Sequence, residues 1–150
     1  MYPVLLTLHA WVRWAVVLTG LLAVTRAAAM RPAWTPTDTR VARLFVGAVD
    51  LQMSLGLILY LAVSPFTQAA FARFSTAMRD PVLRFWAVEH ITGMLVAVTL
   101  VHVGHVRSRH MTEPEARHRA VLRWFSAGLA VILITMPWPF LPYGRPLLRW

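Results

Sequence analysis

Side chains that could bind a metal or move protons concentrate in one apolar stretch, residues 84–105, RFWAVEHITGMLVAVTLVHVGH. It carries Glu89 and three of the six histidines of the chain, His90, His102 and His105. The stretch is long enough for a helix that crosses a bilayer, which takes about 20 residues. Ionisable groups inside a membrane are costly, and they normally face protein, water or a cofactor.

The composition is that of a membrane protein. Of the 150 residues, 58% are hydrophobic, against about 45–50% in a soluble domain. Short polar connections separate four apolar spans, over residues 4–24, 41–63, 85–106 and 121–136. We therefore predict one all-α transmembrane domain over residues 1–150, folded as an up-down-up-down four-helix bundle. The absence of cysteine excludes disulfides, thiolate metal sites and iron–sulfur clusters.

The basic residues predict the orientation. All fifteen are arginine, the formal net charge is +9, and most of them lie between the spans. Because arginine-rich connections stay cytoplasmic, the first and third connections are predicted inside. Both termini, with Arg145 and Arg149, and the middle connection are predicted outside. Arginines placed in this way indicate contact with the lipid bilayer and its headgroups, and no nucleic acid partner is expected.

The connections carry their own helix signals. Between spans two and three, residues 67–78 have apolar residues at helical spacing, which predicts a short amphipathic helix on the outer surface. Asp80 is the expected N-cap of the third helix, with Pro81 at its first position. Thr37 or Thr39 is the expected cap of the second helix.

Two histidines on different spans lie at nearly the same predicted depth. If the middle of each span lies at the bilayer centre, His9 is ~7.5 Å and His90 is ~9 Å toward the outer face, at ~1.5 Å per residue. Spans one and three are diagonal in such a bundle. A haem iron with two axial histidines needs ligands at one height on opposite sides of the macrocycle. The alternative is that each histidine is satisfied by a carbonyl or hydroxyl of a neighbouring helix.

Other ionisable residues of the spans need partners as well. Arg13 lies near the bilayer centre, four residues from His9, and Asp50 lies near the centre of span two. An Arg13–Asp50 pair is the simplest solution, and Glu89 is the competing partner for Arg13. Such a pair would either fix the register of the helices or serve a cofactor or proton movement.

The remaining histidines have no partner at their own depth. His102 and His105 lie toward the cytoplasmic face, and His110 and His118 are assigned to the third connection, so a second haem is not expected. Headgroup contact or a helix cap explains His102 and His105, and the functional alternative is proton uptake or contact with a quinone.

Four segments carry a resemblance to a known family: LHAWVRW near the start, LQMSLGLILY in span two, RFWAVEHITGML in span three and MPWPF after span four. In their order and spacing the chain resembles small four-helix bacterial membrane proteins, common in Bacteroidetes-type genomes, that are named cytochrome b-like. The resemblance covers nearly the whole chain and implies a b-type haem. It places His9, Arg13, Glu89 and His90 on motif positions, and it implies the bacterial inner membrane as the location.

The leading hypothesis is a cytochrome b-like one-electron carrier with one haem b near the outer face. His9 and His90 would be the axial ligands, and Arg84 would pair with a propionate. Arg13 would tune the site, with Asp50 compensating its charge. The expected reaction is electron transfer between a quinone and an outer acceptor.

Two functions of other classes fit the same residues. A cofactor-free accessory subunit would pack against the larger subunits of a respiratory or photosynthetic complex, or against copies of itself. A small transporter or proton-conducting bundle would use Arg13, Asp50 and Glu89, although no broken helix or repeat favours it. The sequence carries no signature of a nucleophilic, phosphate-binding or zinc enzyme.

Overall fold

Four long helices form the protein. The computed structural model describes residues 1–148, so Arg149 lies outside the described residues. Within that range the chain is helical without strands, which confirms the all-α prediction. The helices long and apolar enough to cross a membrane are α1 (Tyr2–Ala28), α2 (Pro36–Val63), α5 (Pro81–His110) and α6 (Pro114–Thr135). Two short helices, α3 (Pro65–Ala72) and α4 (Phe74–Ala77), join α2 to α5.

The orientation across the membrane stays a prediction. Following it, we call the end of the bundle that holds Tyr2, Val63 and Pro81 the outer end, and the opposite end the inner end.

Capping side chains set where the helices begin. At α2, the hydroxyl of Thr35 accepts from the backbone N–H of Asp38 at 3.3 Å, and the Asp38 carboxylate accepts from the Thr35 N–H at 2.8 Å. This reciprocal capping box starts α2 before the predicted caps Thr37 and Thr39, which is why that prediction is wrong. The predicted cap Asp80 is confirmed, because its carboxylate accepts two backbone N–H groups of α5 at 2.8 and 2.9 Å.

The amphipathic segment predicted between spans two and three is present as two helices. The backbone leaves helical geometry at Arg73 (φ −143°) and separates α3 from α4. Ala70 and Ala77 face inward and are buried, whereas Phe71 and Phe74 are about half exposed. The segment therefore has a protein-facing side and an apolar outer side.

The helices pack in a ring, α1 on α2, α2 on α5, α5 on α6 and α6 on α1, so that α1 and α5 are diagonal. The rings of Phe45 and Phe125 meet edge to face in the core, with centroids 5.1 Å apart. Gly20 lets α1 approach, because a Cβ there would lie 2.8 Å from the Phe45 ring. Large apolar side chains on the outside, such as Leu18 and Ile134, suit contact with lipid.

Helix α6 begins before the fourth apolar span, with the inner extension that Pro114 predicts. It starts at Pro114, and His118, which was assigned to a connection, lies within it and is fully buried. The proline at the first position and Glu115 in the first turn favour this start. The His118 ring packs on Trp34 with centroids 4.9 Å apart, which explains its burial.

Candidate functional site

A cavity lies in the outer half of the bundle because α6 ends before its neighbours. The last residue of α6, Thr135, meets His90, which lies well inside α5. Beyond that point the non-helical segment 137–148 takes the place of a fourth helix. The space enclosed is about 130 Å³ and mostly apolar, and both His9 and His90 line it. The two histidines paired by depth in the sequence thus border one cavity.

His90 has one ring nitrogen fixed and one available. Its Nδ1 lies 3.0 Å from the carbonyl oxygen of Thr135. A carbonyl only accepts, so Nδ1 carries the proton and the lone pair of the neutral ring is on Nε2. Among the described residues Nε2 has no hydrogen-bond partner. Phe85 and Trp86 flank the ring with centroids 5.6 and 5.5 Å away. In metal-binding histidines, a hydrogen bond from the other ring nitrogen, like the one from Nδ1 to Thr135, fixes the orientation of the ring.

His9 is held by Gln52. The Nε2 of His9 lies 3.1 Å from the side-chain nitrogen of Gln52, while His9 Nδ1 and Gln52 Oε1 are buried without partners among the described residues. Turning the amide would pair Nε2 with Oε1 and still leave Nδ1 alone. Gly56 gives the ring room, because a Cβ there would lie 3.2 Å from His9 Cε1. Nδ1 of His9 is therefore without a partner, and it carries the lone pair that a metal needs when the amide is turned so that Oε1 accepts from the Nε2–H.

Two π-helical turns border the cavity. They span Leu59–Val63 in α2 and Phe85–Glu89 in α5. The hydroxyl of Tyr60 in the first turn donates to the Ala87 carbonyl of the second at 2.7 Å. Tyr60 and Trp86 both line the cavity. Such turns widen a helix locally and recur at functional sites.

The predicted pair between Arg13 and Asp50 is not formed. The Arg13 guanidinium donates to the carbonyl oxygen of Leu147 at 2.6 Å, and the Trp14 indole donates to the same oxygen at 2.9 Å. The reason is that segment 137–148 reaches back along α1 and offers carbonyls that are not used in a helix. Arg13 is thus paired with backbone through one guanidinium nitrogen, while its Nε is buried without a partner among the described residues.

The two acidic candidates have other partners. The Asp50 carboxylate lies 3.2 Å from His102 Nε2, and Glu89 accepts from Arg84 Nε at 2.7 Å. None of these four side chains lines the cavity. Arg84, for which the sequence predicted a contact with a propionate, pairs instead of lining the cavity: its partner is the carboxylate one turn along its own helix.

Arg145, which the sequence analysis did not single out as a site residue, lines the cavity, whereas Arg84 does not. Its guanidinium lies over the rings of Phe66 and Trp86, 4.6 and 5.0 Å from their centroids, and it lines the cavity together with Arg13. The only signal in the sequence was a single arginine in an otherwise uncharged segment. Two guanidinium groups in an apolar cavity can receive an anionic substituent.

No protein-family model, curated protein or solved structure matches this chain. Within residues 1–148, no three His, Cys, Asp or Glu side chains are grouped as a metal site. The cavity offers two imidazoles instead. A haem iron can accept two axial ligands from a protein.

Proposed function

We propose that the protein is an integral membrane b-type haem protein that carries single electrons. One observation supports this most: His9 and His90, from diagonal helices, line one apolar cavity, and each has a ring nitrogen without a partner among the described residues. The resemblance to cytochrome b-like proteins supports the same function.

The two ligands would use different nitrogens. His90 would bind through Nε2, with Nδ1 held by the Thr135 carbonyl so that the ring keeps its orientation. His9 would bind through Nδ1, with the Gln52 amide turned so that its Oε1 accepts from the Nε2–H and the lone pair lies on Nδ1. Arg13 and Arg145 would pair with the anionic substituents, and the apolar lining would exclude water.

When bound, haem supplies a reversible one-electron couple. A void of about 150 Å³ holds a molecule the size of benzene, so a macrocycle needs more space than the present cavity of about 130 Å³. Segment 137–148 borders the cavity through Arg145 and Pro146 and is not helical. We expect this segment to move outward when haem is bound, which would free Arg13 from Leu147.

An absorption spectrum tests the proposal. The protein, expressed with haem supplied and purified in detergent, should show the reduced-minus-oxidised bands of haem b. His9→Ala should abolish them while the helical circular dichroism is retained. A colourless unaltered protein would refute the proposal.

An accessory subunit without cofactor is the second candidate, and the Asp50–His102 pair favours it. The side chains of Asp50 and His102 are 52% and 43% exposed on the outside of the bundle, although both lie within spans. Ionisable residues in a membrane normally face protein or water. A second protein bound to this surface would bury Asp50 and His102 and separate them from lipid.

Co-purification separates the two candidates. The accessory function predicts that mild detergent extracts the protein with larger subunits, and that Asp50→Leu with His102→Leu releases it from them. It also predicts that His9→Ala has no effect on this association. Extraction as a single coloured species would exclude it.

A further inference from the structure

A second cavity, which the proposed haem site does not use, lies at the inner end of the bundle. It encloses about 110 Å³ between the α1–α2 connection, α2, α5 and the start of α6, and its lining is largely polar. The ionisable residues that line it are Arg43, His105, Arg109 and Arg117. We call it the inner pocket.

The inner pocket has positive charge without compensation. No acidic side chain lines it, and within residues 1–148 none of its three arginines forms an ion pair. Asp38 pairs with Arg26 at 2.8 Å and Asp50 lies 3.2 Å from His102. Glu113, one turn before Arg117, does not line the pocket. Three converging guanidinium groups repel one another unless an anion lies between them.

Polar atoms of the inner pocket also lack partners. His105 Nδ1 and Arg117 Nε are buried and have no hydrogen bond to any described residue. Arg117 is held in place, with its guanidinium 4.7 Å from the Trp34 ring centroid, and the Trp34 indole donates to the Thr39 hydroxyl at 2.8 Å. Buried donors without acceptors are costly. The pocket therefore holds Arg117 in a fixed position and contains buried polar atoms that lack a hydrogen-bond partner.

We propose that the inner pocket binds a phosphate group. Arg43, Arg109 and Arg117 supply the charge and N–H groups that phosphate oxygens accept, and His105 adds a donor when its Nδ1 carries a proton. Arg43 and Arg109 are exposed, so the pocket is open at the end of the bundle where lipid headgroups lie. The phosphate belongs either to an anionic phospholipid, as in basic pockets between membrane helices, or to a soluble phosphate compound.

Two measurements distinguish these sources. In the first, the protein is reconstituted in vesicles of phosphatidylcholine and phosphatidylglycerol, and native mass spectrometry measures the phosphatidylglycerol that stays bound. In the second, the protein is placed in nanodiscs of phosphatidylcholine alone, and the thermal midpoint is followed against inorganic phosphate, with chloride at matched ionic strength.

Matched variants make both measurements specific. Arg43→Gln, Arg109→Gln and Arg117→Gln should each weaken binding about fivefold. Arg40→Gln on α2 and Arg123→Gln on α6 remove the same charge outside the pocket and should leave binding unchanged. If a glutamine variant does not fold, the lysine variant at that position keeps the charge and should keep most of the binding.

The outcomes are distinct. Retention of phosphatidylglycerol alone assigns the pocket to a lipid headgroup, and a phosphate-dependent midpoint alone assigns it to a soluble compound. Both together support a general phosphate site. Binding in neither measurement, or equal losses in the pocket and control variants, overturns the proposal. Haem content is read in the same samples and should not change.

Discussion

Two histidines of α5, His90 in its outer half and His102 in its inner half, are held in opposite ways. In the outer half, the Nδ1–H of His90 donates to the Thr135 carbonyl at 3.0 Å, and Nε2 has no partner among the described residues. The ring of His90 also lines a cavity. In the inner half, both nitrogens of His102 lie against a partner, Nδ1 at 3.0 Å from the Val98 carbonyl oxygen and Nε2 at 3.2 Å from the Asp50 carboxylate. Neither nitrogen of His102 is therefore open to a ligand.

This difference shows that histidines of one helix have to be judged by their unused nitrogens. A nitrogen that is already hydrogen bonded has to give up that contact before it binds a metal, whereas Nε2 of His90 gives up nothing. A short α6 creates the difference, because its free terminal carbonyl fixes His90 and its early end opens the cavity. The following predictions test the contrast.

The largest expected effect separates the two histidines directly. His90→Ala should remove at least about nine tenths of the bound haem, because it removes an axial ligand. His102→Ala, on the same helix, should leave haem content within about a fifth of the unaltered protein, since it removes no ligand. The pyridine haemochrome spectrum measures both, and equal losses would remove the distinction between the two halves.

A glycine in the outer half tests how His90 is positioned. A Cβ at Gly93 would overlap the Thr135 side chain, whereas one at Gly47 would meet nothing within 4 Å. Gly93→Ala should lower the unfolding free energy by ~1–3 kcal/mol and reduce haem content, because Thr135 has to move away from His90. Gly47→Ala should lower neither. Unfolding by SDS in mixed micelles gives the free energies, and similar values for the two variants would contradict the close packing.

The arginines test which charge serves the cavity. Arg145→Gln should weaken haem binding roughly tenfold, the size of one charge-assisted hydrogen bond. Arg84→Gln should change it less than about twofold, because Arg84 is exposed and paired with Glu89. Haem titration of the purified apoprotein measures both constants. A larger loss of haem affinity with Arg84→Gln would support the sequence-based prediction that Arg84 pairs with a propionate.

The smallest expected effect lies in the inner half. Asp50→Asn keeps the shape of the side chain and removes its charge, and the pair with His102 is about half exposed. Hydrogen bonds in membrane proteins average about 0.6 kcal/mol in double-mutant cycles, so the unfolding free energy should fall by no more than about 1 kcal/mol. Haem content should not change. A loss of haem in Asp50→Asn would show that the inner half of α5 affects the cavity in the outer half.

Much of the fold follows from sequence patterns. Apolar length predicted the spans, and Asp80 before Pro81 predicted the start of α5, because both signals are local. The predicted depths put His9 and His90 at nearly the same level, because an α-helix rises by a fixed distance per residue.

The contacts that fix the site depend on segments without periodicity. Arg13 bonds to the Leu147 carbonyl, and every residue has a carbonyl, so no sequence signal marked it. Arg145 lies over Phe66 and Trp86 only because segment 137–148 folds back on the bundle. These partners required the three-dimensional structure.

The most direct test of the central claim, that His9 and His90 bind one iron, is the electron paramagnetic resonance spectrum of the oxidised, haem-loaded protein. We predict the low-spin ferric signal of an iron with two imidazole ligands, and the loss of that signal in His9→Ala, which does not retain haem. A high-spin signal in the unaltered protein would contradict the claim, because it would leave one axial position without histidine.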